Sequence, residues 1–259
     1  MTAKIPPGLF VVGTDTGVGK TVIASAILRA LRLEGKRVGA VKPVATGAER
    51  IDGVLRSGDV EALAEAVGEG VDRHSVCPIM FEAPMAPSVA ARRAGRPLHR
   101  RSLEDAFLGV VEAWTRKGVD ALVVEGVGGL LCPIAEGMTV ADLAILVDYP
   151  VLIVARRGLG TLNHSLLTIE AARSRGLRLA GLVLNGSAPA ESPEVEASNA
   201  EELARHVAGL TILPNLAYGE DPDNWAVARR CGAWYDRCLC PRHVDWSSRP
   251  RFASHVDSD

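Results

Sequence analysis

Near the N-terminus a compact apolar run, Leu9 to Val12, leads into Gly13-Thr-Asp-Thr-Gly-Val-Gly-Lys-Thr21. A segment with apolar residues at helical spacing (Ile23, Ile27, Leu31) follows and stops at Gly35. A strand passing through a glycine-rich loop into a helix is the setting of a phosphate-binding loop. Backbone N–H groups of such a loop converge on phosphate oxygens, and the helix N-terminus adds partial positive charge. Lys20 is placed to reach β- and γ-phosphates, and Thr21 to offer a hydroxyl to Mg²⁺. The usual spacing would put a glycine at position 14. Thr14 stands there and the glycine is at 13, so the loop carries one extra residue.

Continuous apolar runs recur at Arg37 to Lys42, Ala121 to Glu125, Pro150 to Ala155, Leu179 to Asn185 and Leu210 to Leu213. Runs without alternation mark strands covered on both faces, as in a parallel sheet between helices. Ser102 to Lys117 reads as a helix, with Ser102 as its cap, Glu104 and Asp105 in the first turn, and Arg116 and Lys117 in the last. Leu103, Phe107, Val110 and Trp114 supply its apolar face. The expected fold class is α/β, a doubly wound, mostly parallel sheet with helices on both faces, in one domain over residues 1–224. Val76 to Arg101, with four prolines, reads as a long ordered loop. From Trp225 the pattern fades, and residues 225–259 read as a partly disordered tail of unassigned role.

Composition narrows the partners. With 47% apolar and 23% charged residues, the 259-residue chain can bury a core, and a net charge of −2 gives no basic footprint for nucleic acid. No apolar stretch approaches the roughly 18 residues of a membrane span, and Met1 to Pro7 lacks the apolar region of a signal peptide. Five cysteines, an odd number, point to free thiols in a reducing cytoplasm. Cys231, Cys238, Cys240 and His243 imitate a zinc site, but C-x6-C-x-C-x2-H fits none of the usual ligand pairs. Only 5 of the 29 basic residues are lysine, so each lysine in a loop counts.

Three further residues stand where a phosphate site needs charge. Glu125 ends its strand at the carboxyl edge of the sheet, where ligands bind in this fold class, and opens Glu125-Gly-Val-Gly-Gly129. Asp59 opens a short helix and reads by itself as an N-cap. Lys42, at the end of the second run, reads equally as a solvated lysine or as a cation for transferring phosphoryl oxygens.

Taken together, Gly13-Thr-Asp-Thr-Gly-Val-Gly-Lys-Thr21, Lys42-Pro-Val-Ala-Thr-Gly47, Ser57-Gly-Asp59, Val124-Glu-Gly-Val-Gly-Gly129 and Gly158-Leu-Gly-Thr-Leu-Asn-His164 resemble dethiobiotin synthetase in order and spacing, from about Leu9 to Asp223. That family closes the ureido ring of dethiobiotin from 7,8-diaminopelargonic acid, CO₂ and ATP. The resemblance implies a carbamate, its phosphorylation to a carbamic–phosphoric anhydride, and ring closure by the second amine.

The resemblance also distributes roles. Lys42, Lys20 and Thr16 would be catalytic. Gly17, Val18, Gly19, Lys20, Thr21 and Val22 would hold the ATP phosphates, with Gly126, Val127 and Gly128 beside them. Thr21, Asp59 and Glu125 would hold Mg²⁺. Asn185 would read the adenine, with Gly186, Pro214, Asn215, Leu216 and Asp221 also on the nucleotide side. Thr46 would bind the substrate. Gly158, Gly160, Thr161, Leu162 and Asn163, ahead of a helix spanning Leu166 to Arg175, would bind the substrate carboxylate of a second subunit, which implies a cytoplasmic homodimer with shared sites. Gly17 departs from the pattern, since many members carry an acid there. Two other functions compete. One is an amide-forming synthase of the cobyrinate type, for whose amidotransferase domain the chain has no room. The other is a partner-switching partitioning or maturation ATPase, whose early loop lysine is replaced by Thr14, Asp15 and Thr16.

Overall fold

The apolar runs become the strands of one six-stranded sheet in the computed structural model, which describes residues 5–189 and 192–230. The strands of that sheet are numbered β1 (Gly8–Gly13), β2 (Val38–Val41), β3 (Ala121–Gly129), β4 (Val151–Arg156), β5 (Leu179–Asn185) and β6 (Ile212–Leu216). Their order is β6-β5-β4-β1-β3-β2, and every pairing is parallel. The helices are α1 (Lys20–Leu33), α2 (Gly58–Val67), α3 (Pro87–Arg93), α4 (Arg100–Arg116), α5 (Val140–Val147), α6 (Thr161–Ser174), α7 (Pro193–His206) and α8 (Pro222–Arg230). All residues of β1 and β2 are buried, both parities alike, because each face of the sheet is covered. The expected α/β class with a parallel sheet holds.

The order reverses at β1. From the end of β1 the chain crosses to β2 beyond β3, and later returns to β4 on the other side. The carboxyl ends of the central strands therefore open a crevice at β1, the usual place for a ligand in such sheets. The register confirms how the edge is shared: Val11 lies opposite Glu125, and Gly13 opposite Val154.

Several local expectations need correction. Residues 76–101 are not one loop. Met80–Phe81 pairs in parallel with Ala45–Thr46, and α3 begins at Pro87, where proline is well suited to a first turn. α4 starts at Arg100 with His99 as N-cap, so Ser102 caps nothing, and Glu104 instead pairs with Arg100 at 2.9 Å. β3 does not end at Glu125 but runs on to Gly129. α6 starts at Thr161, earlier than Leu166, so Thr161, Leu162 and Asn163 form its first turn. β6 lies later than Leu210–Leu213 and contains Pro214. It is an edge strand, where a sheet tolerates proline, and its register with β5 shifts between Val183 and Asn185.

The boundary at 224/225 falls inside a helix. α8 packs on α1, Trp225 is buried, and the Arg29 guanidinium donates through Nε to both carboxylate oxygens of Asp223 at 2.7 and 2.8 Å. Trp234, Trp246 and the Cys231, Cys238, Cys240, His243 cluster lie outside the described residues.

Candidate active site

The loop Thr14–Gly19 joins β1 to α1, and it is tied to the sheet at both flanks. The Thr14 N–H donates to the Val154 carbonyl at 2.9 Å. Asn185, the last residue of β5, donates from Nδ2 to the Val18 carbonyl at 2.9 Å. Gly19 caps α1 in the left-handed region (φ 90°), and a Cβ there would lie 1.9 Å from Asn185 Nδ2. Only glycine meets both conditions. Lys20 is nearly buried and its Nζ donates to the Asp15 carbonyl at 3.0 Å, curled back over its own loop.

Beside the loop lies a charged cluster. Lys42 follows β2 directly, with its side chain 2% exposed, and its Nζ donates to Asp59 Oδ2 at 2.6 Å and to Glu125 Oε1 at 2.5 Å. Thr21 Oγ1 stands 2.9 Å from both Asp59 Oδ1 and Glu125 Oε1. Asp59 is not an N-cap. Ser57 holds that position, and Asp59, in the first turn of α2, turns its carboxylate to Thr21 and Lys42. Lys42 is likewise no solvated lysine.

Burial sets the titration of this cluster against its charges. It works against the Lys42 ammonium, but Glu125 and Asp59 overcome it and hold the pKa above the ordinary lysine value. Burial raises the Glu125 pKa above the carboxylate norm despite Lys42. Burial also opposes the half-exposed Asp59 carboxylate, which Lys42 and Thr21 nevertheless keep below its ordinary value. Lys20 lies below the ordinary lysine value, first from burial and then from the charge of Lys42.

The geometry of the cluster suits a cation. A single hydroxyl proton on Thr21 cannot serve two carboxylate oxygens, so one of its two short O···O contacts lacks a hydrogen bond. Glu125 Oε2 is fully buried without a partner among the described residues. A hydroxyl and two carboxylates are hard oxygen donors of the kind Mg²⁺ takes alongside waters and substrate phosphates. Consistent with so sparse a set, no group of three or more His, Cys, Asp or Glu among the described residues forms a metal cage by itself.

A cavity of about 840 Å³ runs over this edge. Of the residues expected from sequence, it is lined by Thr16, Gly17, Gly19, Lys20, Thr21 and Val22 of the loop and α1, and by Lys42, Thr46, Asp59, Glu125, Val127 and Gly128. Asn185, Gly186 and Leu216 line it too. The strand order places Asn185 on the β5 side of the loop, and Glu125 and Lys42 on the β3 and β2 side. The cavity thus has two distinct ends, one at Asn185 and one at Lys42 and Glu125.

Other expected residues stand apart from the cavity wall. Val18 is in the core and contributes only its carbonyl to Asn185. Gly126 packs against Val140, while Pro214 and Asn215 lie within β6. Asp221 accepts from the Asp223 N–H at 2.9 Å, ahead of α8. Gly158, Gly160, Thr161, Leu162 and Asn163 do not line this chain's cavity. Their segment is held from behind by α7. Arg157 Nη2 is 3.0 Å from Glu196 Oε2, and Asn199 Nδ2 donates to the Arg157 carbonyl at 2.8 Å, with Glu196 and Asn199 both buried.

The sequence reading missed part of the wall. Pro84 to Ala86, the turn before α3, and Pro87 at its start close the end near Thr46, and Cys132 stands near Gly128. Ser187 and the turn Ala217 to Glu220 close the end near Asn185, with the Tyr218 ring 58% exposed on the rim. Gly186 matters here, since a Cβ would lie 2.4 Å from the Tyr218 nitrogen. No motif marks these residues. The one available signal was Pro87, a proline poised to open a helix.

Comparison with known proteins agrees with the geometry. A family described as an AAA domain matches residues 7–224. The chain is 43% identical over 228 residues to the ATP-dependent dethiobiotin synthetase BioD of Anaeromyxobacter dehalogenans (strain 2CP-C), covering 87% of this chain and 94% of that protein. It is 36% identical over 211 residues to the protein of the same name from Bacillus cereus (strain ATCC 14579), covering 82% and 83%. It is 42% identical over 176 residues to that of Ralstonia nicotianae, covering 68% and 75%.

Proposed function

The chain belongs to the dethiobiotin synthetase family, and on that premise we propose that its cavity closes the ureido ring of dethiobiotin from 7,8-diaminopelargonic acid and CO₂, with ATP converted to ADP and phosphate. It is an ATP-dependent ligase of biotin synthesis. One amine of the diamine takes up CO₂ as a carbamate. A carbamate oxygen attacks the γ-phosphorus, and ADP leaves. The second amine then attacks the carbonyl of the carbamic–phosphoric anhydride. The ring closes and phosphate leaves, carrying the oxygen that came from CO₂.

This chemistry needs positioning and charge stabilisation more than a strong nucleophile. The observation that carries the reading is the Lys42 ammonium, buried between Asp59 and Glu125 beside the phosphate loop. When the polyphosphate binds, Lys42 and Lys20 meet the transferring oxygens, and Thr16 and Thr46 hold the carbamate and amine side. Thr21, Asp59 and Glu125 would hold Mg²⁺, which supplies positive charge to the phosphate oxygens. Loop N–H groups and Val22 hold the phosphates. Asn185, Gly186 and the turn after Leu216 face the base, and the Asn185 oxygen is left to meet it because Nδ2 serves Val18.

The segment Gly158–Asn163 serves a second copy of the chain, which makes the enzyme a homodimer. That it does not line this chain's own cavity supports the reading, as does the exposure of Leu159 and Leu167 (81% and 60%) on the same segment and helix. A cytoplasmic setting fits the free thiols of Cys77 and Cys132, and no described helix is long and apolar enough to cross a membrane. The reaction itself is tested by supplying diaminopelargonate, bicarbonate and MgATP. Dethiobiotin, ADP and phosphate should form in equal amounts, and ATP hydrolysis without the ring product would refute the reading.

A further inference from the structure

The loop that carries Lys20 also contains a carboxylate, Asp15, where negative charge opposes the arrival of a polyphosphate. Its surroundings show how that charge is met. Asp15 Oδ2 accepts from Arg156 Nη2 at 2.7 Å, and Oδ1 accepts from the Thr16 N–H at 2.7 Å. The Asp15 carbonyl accepts from Lys20 Nζ. One residue therefore fixes the path of the loop at Thr16, gives Lys20 its resting partner, and is neutralised from outside the loop.

The neutralising group comes from a rigid element. Arg156 is the last residue of β4, and β4 pairs with β1 up to Val154 opposite Gly13. The strand reaches past the end of β1 and presents the guanidinium over the loop. Both side chains are close to half exposed, at 41% and 49%. A pair so exposed adds little to folding stability, so stability does not account for it. Without Arg156, the Asp15 carboxylate would face the incoming polyanion uncompensated.

The geometry points to Arg156 as a positioning residue that neutralises Asp15 and keeps the phosphate loop in the shape that receives the ATP polyphosphate. This rests on the reading that the loop takes those phosphates, and the test separates the two. The variants are Arg156→Ala, Arg156→Ala with Asp15→Asn, Arg156→Lys and Lys20→Ala. The readouts are the KM for ATP and the inhibition constant of inorganic tripolyphosphate.

Arg156→Ala should raise both about tenfold, with a smaller change in kcat and little change in melting temperature. Adding Asp15→Asn removes the bare charge while keeping an oxygen for the Thr16 N–H, and should restore most of the loss. Arg156→Lys should lie between wild type and Arg156→Ala. A loss of stability alone would not be relieved by removing a charge in the loop. Unchanged values for Arg156→Ala, or no restoration by Asp15→Asn, would overturn the assignment. If Lys20→Ala leaves tripolyphosphate inhibition untouched, the phosphate-loop reading fails instead, whatever Arg156 does.

Discussion

The Lys42 ammonium bridges the carboxylates of Asp59 and Glu125, at 2.6 and 2.5 Å, joining a residue just after β2 to the first turn of α2 and to the middle of β3. Glu125 is wholly buried and Lys42 almost so, so neither charge has water to fall back on. A buried pair of this kind is costly to break from one side, by about 3–5 kcal/mol. Such an arrangement adds little stability over an apolar pair, and its value lies in a cation held next to the phosphate loop.

Lys42→Ala should therefore lower kcat by about two orders of magnitude or more, and should also lower the melting temperature, because Glu125 loses its counter-charge. Lys42→Met, which fills the space, should recover part of the melting temperature and none of the rate. Near-normal turnover in either variant would remove Lys42 from the reaction.

Lys20 differs from Lys42 in the direction of its shift. Burial and the neighbouring Lys42 charge lower its pKa below the ordinary value of 10.5. The protonated form binds phosphate, so affinity is full below the shifted pKa and falls as pH rises through it. ADP affinity measured against pH should decline with a midpoint below 10.5, and Lys20→Arg should remove that alkaline limb. A flat profile up to 10.5 would contradict the role of Lys20.

Gly19→Ala places a Cβ 1.9 Å from Asn185 Nδ2 at a positive φ. The backbone strain falls on the loop, and the collision is with a side chain at the end of β5 and leaves the sheet ladder intact. Nucleotide binding should drop by at least about tenfold while the circular-dichroism spectrum stays that of the wild type. Calorimetric titration with ADP checks this, and unchanged affinity would show that the Asn185 brace does not shape the loop.

Much of this is legible in the sequence, for reasons tied to particular residues. The continuous runs at Leu9–Val12 and Pro150–Ala155 announced doubly covered strands, because solvent faces neither side. The loop around Lys20 is a local motif, and its place between an apolar run and a helical segment identified it despite the extra residue. Asp59 was harder. On sequence its position after Ser57-Gly58 is that of a cap, and only the tertiary approach of α2 to α1 brings it to Thr21. Glu125 read as the end of its strand because glycines follow it, yet the strand runs on through them to Gly129 and the carboxylate is fully buried. The turn at Tyr218 and the wall at Pro84 to Pro87 carry no motif, since packing at a cavity rim asks for shape and not for one residue type. Trp225 looked like the start of a tail because α1, on which its helix packs, lies far back in the chain.

The exposed leucines on the Gly158 segment and α6 give a test of the shared site. Leu159→Asp with Leu167→Asp should yield a monomer whose KM for diaminopelargonate rises at least about tenfold while nucleotide affinity changes little. Sedimentation at micromolar concentration, together with steady-state rates, checks both. A fully active monomer would contradict the homodimer.

The path of one oxygen tests the central claim most directly. With ¹⁸O-labelled bicarbonate in unlabelled water, and a turnover fast enough to precede exchange, the released phosphate should carry one ¹⁸O atom, delivered by the carbamate oxygen that attacked the γ-phosphorus. Phosphate free of label, formed alongside dethiobiotin, would show that the carbamate is not phosphorylated and that Lys20 and Lys42 do not serve the transfer described here.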